Sequence, residues 1–184
     1  MSAFFLAFLT CALVIAAGRD ALFVARLSQA LHRAPGLHVA IMLAALVFAA
    51  LPVWLAGSLA VHLDGAAGRL FVALALLVAG AELLVLRASP TPAEPTHSTI
   101  ATVLVLAVRL VSGAPGFVLL ALAARGTAPA AFTAAGGLFA AFAVLPVAAI
   151  AGEDWERLPL RIVRRGLGVA LLMAGGVIGW IAVF

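Results

Sequence analysis

The residues able to do chemistry in this chain are few, and they stand where charge is costly. Gly18, Arg19 and Asp20 interrupt an apolar run that starts near Ala3 and resumes at Ala21. Arg109 lies inside a second apolar run, just before Ser112-Gly113-Ala114-Pro115-Gly116. A charged side chain in a bilayer interior costs about 2.5–3.5 kcal/mol on insertion scales, so it is by default a functional-site hypothesis. Asp20 is the natural group to exchange a proton or a cation. Arg19 and Arg109 offer forks that match a carboxylate or another anion. The structural alternative is pairing, Arg19 with Asp20 to stabilise a kink, and Arg109 with Asp20 across the molecule. Ser112 and Gly113 complete the transport-site candidates, one as a neutral oxygen ligand and one as part of the break. Glu82 and Gln29 are secondary candidates. Glu82 reads as a hydrogen-bonded or interfacial residue near a span end, since span ends tolerate ionisable groups.

Such residues need elements to hold them, and composition says what those elements are. Hydrophobic residues make up 66% of the 184 and charged residues only 10%, against about 25% charged in soluble domains. The chain therefore reads as an all-α integral membrane protein. All eleven basic residues are Arg, and the net charge of +4 is scattered between apolar runs. No nucleic-acid partner follows from it. The lone Cys11 excludes an internal disulfide and a cysteine metal cluster. The four His show no i,i+4 pair, and no cofactor is implied. Enzyme signatures such as Gly-x-Ser-x-Gly, His-Glu-x-x-His and the phosphate-binding loop are absent, so no enzymatic activity is expected. The first seventeen residues lack Lys and Arg, which argues against a cleaved signal peptide.

Six segments reach the roughly 20 apolar residues that a span needs. They run at about 3–31, 37–61, 70–86, 98–124, 130–151 and 162–184. A polar stretch at 88–97 carries three prolines and reads as an extended linker. It separates a first three-helix unit, 1–87, from a second, 98–184. Arg residues concentrate in and beside the first, third and fifth loops. The positive-inside rule then puts those loops and the central linker in the cytoplasm and both termini outside, in a bacterial inner membrane. Trp155 and Trp180 suit the membrane interface, and Trp54 reads as a packing residue. Glu153-Asp154-Trp155-Glu156 reads as a solvated loop.

A shift of 94 residues lays the chain upon itself without gaps. Pro35 then meets Pro129, Leu51-Pro52-Val53 meets Leu145-Pro146-Val147, and Gly18 meets Ser112. Each half holds three spans, an odd number, so the halves must cross the membrane in opposite senses. Six transmembrane helices as two inverted three-helix repeats is the plan of many secondary transporters, and paired Gly/Pro breaks mark a midplane site.

With that organisation, and with Leu122-Ala-Ala-Arg-Gly-Thr-Ala-Pro129 followed by Gly136-Gly137, the chain resembles the Golgi manganese/calcium–proton exchanger family of the lysine-exporter superfamily. The resemblance implies secondary transport, with a divalent cation (manganese or calcium) and a proton as partners beside membrane lipids. The family signature is Glu-x-Gly-Asp-(Lys/Arg)-(Thr/Ser), once per repeat. Its first copy falls here on Ala16, Gly18, Arg19, Asp20 and Ala21, where only the glycine matches. The second falls on Leu110, Ser112, Gly113, Ala114 and Pro115, where nothing matches. Asp20 is thus the only carboxylate near the implied metal site, one residue off, and no confident metal ligand results. Two further readings stand beside cation–proton antiport. One is export of an amino acid or another small solute, with Arg19 and Arg109 facing its carboxylate. The other is a transport-inactive accessory membrane protein, as a homo-oligomer or paired with an intact homologue.

Overall fold

The computed structural model describes residues 2–31, 35–60, 62, 65–85, 98–125 and 129–184. The linker expected at 88–97 and the central residues of the turns expected at 32–36 and 125–129 lie outside them. Among the described residues every regular element is helical. Hydrocarbon offers backbone groups no hydrogen-bond partner, so a spanning segment must satisfy them within itself.

Helix α1 (Ser2–Ala17) meets α2 (Arg19–Ala30) at an angle of 57°. Further along, α5 (Thr99–Ser112) meets α6 (Ala114–Ala124) at 55°. The others are α3 (Pro35–Ala60), α4 (Gly65–Val85), α7 (Ala130–Ala151), the short α8 (Glu153–Arg157) and α9 (Leu160–Val183). Four of these are long and apolar enough to cross a membrane, and six spans result if each bent pair counts as one. The protein is an integral membrane protein by this measure. Pro52 and Pro146 sit inside α3 and α7 without ending them, as neighbouring helices permit in membranes.

Two boundaries differ from expectation. The third span begins at Gly65 rather than near residue 70, because Gly65-Ala-Ala-Gly68 joins the helix instead of the turn. The charged stretch after Gly152 forms α8 rather than an irregular loop. Its acids Glu153, Asp154 and Glu156 precede Arg157, an order that complements the helix dipole.

Packing follows the small residues. Helix α1 lies on α7, α5 on α3, and α3 crosses α7; α2 and α6 pack on α7 and α3 respectively, and α4 pairs with α9. A Cβ at Gly136 would lie 2.5 Å from the Phe4 carbonyl oxygen, so α1 and α7 approach along a glycine. The core draws on both halves, with Cys11, Ile15, Val24, Ile41, Phe48, Leu110, Leu119 and Leu145 all buried in one cluster. The outer face is apolar as well. Trp54, expected to pack internally, is 67% exposed, and Ile162 and Met173 are similarly bare. In lipid such residues are solvated rather than stranded. Of the four helices long enough to span, α9 is the most peripheral, burying only Gly168 and Gly175.

Candidate functional site: charges at two helix breaks

Both bends are made by a glycine in extended conformation. Gly18 has φ −74° and ψ 178°, and Gly113 has φ −94° and ψ 176°. A Cβ at Gly18 would come within 2.5 Å of the Val14 carbonyl oxygen, and one at Gly113 within 2.6 Å of the Arg109 carbonyl oxygen. The break therefore folds the chain back on its own preceding turn, where a side chain does not fit. The second break sits at Gly113 and not at Ser112, which the ungapped comparison had matched to Gly18. The reason is local: α2 has 12 residues and α6 has 11, so the register slips by one between break and turn.

The breaks bring four charges together. Arg109 Nε lies 3.4 Å from Asp20 Oδ1, joining α5 to α2 across the two halves. Arg19 Nη2 lies 3.0 Å from Glu82 Oε1, joining α2 to α4. The expected Arg19–Asp20 pair is thus replaced. The two residues are adjacent at the start of α2, and their side chains leave the helix in directions about 100° apart, toward different neighbours. Glu82 is not a bystander at a span end. It is 9% exposed, and it lies beside Ala114 at the start of α6 as well as meeting Arg19. A Cβ on Gly113 would lie 3.3 Å from Glu82 Oε1 and 3.5 Å from Asp20 Oδ2, so both carboxylates crowd the second break.

Helix ends share the electrostatic load. Asp20 stands in the first turn of α2, and Glu82 meets the first residue of α6. Both carboxylates thereby face the positive end of a half-helix dipole. Arg109 stands in the last turn of α5, at a negative end. Its guanidinium also lies 4.2 Å from the centroid of the Phe23 ring, a cation–π contact that gains strength away from water. Asp20 is buried to 3% exposure, so its neutralisation must come from these neighbours.

The hydrogen bonding is nevertheless incomplete. Arg19 Nε, Arg109 Nε, Arg109 Nη2 and Asp20 Oδ1 are buried without a hydrogen-bond partner. The 3.4 Å approach of Arg109 to Asp20 is an ion pair whose geometry falls short of a hydrogen bond. A cleft opens beside the cluster, lined by Gly18, Arg19, Asp20, Glu82, Leu83, Ala114, Pro115 and Arg164. It has room for little more than a water molecule. Arg164 was not among the sequence candidates. Its only signal was membership of the Arg161-Ile-Val-Arg-Arg165 run, which reads equally well as a cytoplasmic flank.

Two sequence candidates fall outside. Ser112 is exposed and donates its hydroxyl hydrogen bond back to the Val108 carbonyl, one turn earlier in its own helix. Gln29 is exposed at the far end of α2, about 13 Å along the axis from Asp20. Its side chain covers Gly152, where φ is +55° and a Cβ would meet Gln29 Nε2 at 2.9 Å. Near it, Arg26 Nε donates to Glu156 Oε1 at 2.7 Å and ties α2 to α8. That hydrogen bond holds the Glu156 carboxyl below its usual range.

No cluster of three or more His, Cys, Asp or Glu residues fit to hold a metal ion occurs among the described residues. The centre gathers four charged side chains at a place where two helices are broken. Set against known protein families, curated proteins and solved structures, the chain matches none.

Proposed function

We propose that the protein is a secondary transporter of a small solute, built as two inverted three-helix repeats that work by alternating access. The observation that carries this reading is the meeting of two ion pairs, one of them on the buried Asp20, at two similarly bent helix breaks. Discontinuous helices whose half-helix ends face a charged site are the usual construction of transporter binding sites. The repeat is supported by the near-equal bends and by part of the packing. Swapping the halves turns the α1–α7 contact into α5–α3, and α2–α7 into α6–α3, whereas among the described residues the packing of α4 on α6 has no counterpart between α9 and α2. With the second break at Gly113, the glycine of the exchanger signature also recurs in both halves. The inner-membrane orientation with outward termini rests on the Arg distribution alone.

Among solutes, the geometry favours the amino-acid or small-solute reading over divalent cation–proton antiport. Calcium takes six to eight oxygen ligands and manganese favours oxygen donors too. Here Asp20 and Glu82 are each met by a guanidinium.

Purified protein in liposomes tests both, with Mn²⁺ and Ca²⁺ flux, lumenal pH and uptake of labelled amino acids followed side by side. Amino-acid flux that disappears in Asp20→Asn is the expected result. Divalent flux coupled to protons would replace it with the exchanger reading. Silence toward every solute, in a protein that is folded and abundant in its membrane, would leave the accessory role.

A further inference from the structure

We infer that Arg161 and Arg165 seat the phosphate of an anionic phospholipid where the seam between α4 and α9 reaches the membrane surface. This surface stands apart from the transport reading. Arg157, Arg161, Arg164 and Arg165 fall within nine residues at the entry to α9. Two of the four are engaged inside the chain. Arg157 Nη1 lies 3.0 Å from Asp154 Oδ1, and Arg164 lines the cleft beside Asp20 and Glu82. Glu156 is already held by Arg26, and Glu153 opens α8 seven residues before α9 begins. Arg161 and Arg165 are exposed, and neither has an ion-pair or hydrogen-bonding side-chain partner among the described residues.

Their placement is unfavourable without an anion. Both stand in the first two turns of α9, at the positive end of its dipole, with no acid in the first turn and no capping side chain. At i,i+4 spacing they share one flank, and like charges so placed repel. That flank also points to the source of the anion. Arg161, Arg165, Gly168 and Leu172 form one i, i+4, i+7, i+11 row. The deeper two members pack on α4: a Cβ on Gly168 would lie 2.8 Å from Leu84 Cγ, and one on Gly80 2.9 Å from Leu172 Cγ. Arg165 and Arg161 continue the row roughly 5 and 10 Å farther along the axis, toward headgroup level. Val85, Ile162 and Val163 beside them are exposed and apolar, a wall for acyl chains. A guanidinium fork matches phosphate oxygens, and basic pockets between spanning helices suit phosphorylated headgroups. A free phosphate would make no use of the apolar wall.

The test uses the full chain in neutral detergent, titrated with short-chain phosphatidylglycerol or phosphatidylcholine, with bound lipid counted by native mass spectrometry. Saturable retention of phosphatidylglycerol, stronger than that of phosphatidylcholine, is expected. Arg161→Gln/Arg165→Gln should weaken it roughly thirtyfold, and either single change about fivefold, the scale of one surface arginine facing an anionic headgroup. Arg69→Gln/Arg125→Gln removes the same charge at the other end of α4, where Arg69 stands in the first turns and Ala124 packs near Val72. It should leave the affinity unchanged. Thermal unfolding in phosphatidylcholine nanodiscs should be the same for wild type and both double variants, since all four side chains are exposed.

Three results would overturn the proposal. Equal loss in the two double variants would reduce the effect to net charge. Displacement of phosphatidylglycerol by inorganic phosphate at equal concentration would make the ligand a free anion rather than a lipid. The third concerns Glu94, the one acid of the linker sequence 88–97. Glu94→Gln should leave lipid affinity unchanged, and a rise of thirtyfold would make that carboxylate the resident partner of the two arginines.

Discussion

The two helix breaks are alike in backbone and opposite in chemistry. Gly18 and Gly113 share an extended conformation and bend their helices by nearly the same angle. After Gly18 come Arg19 and Asp20; after Gly113 come Ala114 and Pro115. The first break brings charge, and the second receives it beside Ala114 at the end of α6 and through Arg109 one turn before. A glycine with its preceding carbonyl close by is common to both breaks, so the bend needs no charged residue directly after the glycine. The charges of both halves gather around a backbone geometry that the two breaks share.

The largest effect should come from disturbing the charged break. Asp20→Ala leaves Arg109 buried without its carboxylate, and removing one partner of a buried pair costs about 3–5 kcal/mol. Thermal unfolding in nanodiscs should show the loss. Asp20→Asn/Arg109→Gln should recover most of it, since neither charge is then stranded. If the double variant is no more stable than the single one, the two charges do not depend on each other.

The second prediction asks whether the breaks are equal in backbone. Gly18→Ala and Gly113→Ala each place a methyl group about 2.5 Å from a carbonyl oxygen, and overpacking of this kind typically costs about 1–3 kcal/mol. The two losses should agree within the error of the unfolding measurement. A much greater cost at Gly113 would instead point to the crowding of Glu82 and Asp20 around it.

The smallest effect belongs to the peripheral pair, where α2 meets α8. Glu156→Gln should cost about 0.2–1 kcal/mol, the range for exposed ion pairs. Because Arg26 holds the Glu156 carboxyl below its usual value, the contribution is present at neutral pH and above the unfolded value. It is lost as pH falls through the lower, folded one. An acid titration of wild type and Glu156→Gln should therefore converge at low pH and separate above it.

Much of this arrangement was legible because charge is conspicuous in an apolar run. Gly18, Arg19, Asp20 and Arg109 announced themselves, and the cost of an unpaired charge offered Asp20 two partners, Arg19 and Arg109, of which the structure pairs it with Arg109. Glu82 was harder to place. Its position near the end of α4 is compatible with an interfacial residue, and only the packing of α4 against α6 delivers it to Ala114. The exact partner of Gly18 was also beyond an ungapped comparison. Prolines at 35 and 129, and at 52 and 146, pin the register after the turns, while the one-residue difference between α2 and α6 lies before them. Partner choice for Arg19 needed three dimensions, since adjacent helical residues point to different neighbours.

The dependence of Asp20 on Arg109 also sets an order for biogenesis. Of the four central charges, Arg19 and Asp20 are synthesised first, Glu82 later and Arg109 last. The Arg19–Glu82 pair lies wholly within the first half of the chain, whereas the Arg109 partner of Asp20 becomes available only once α5 has been made.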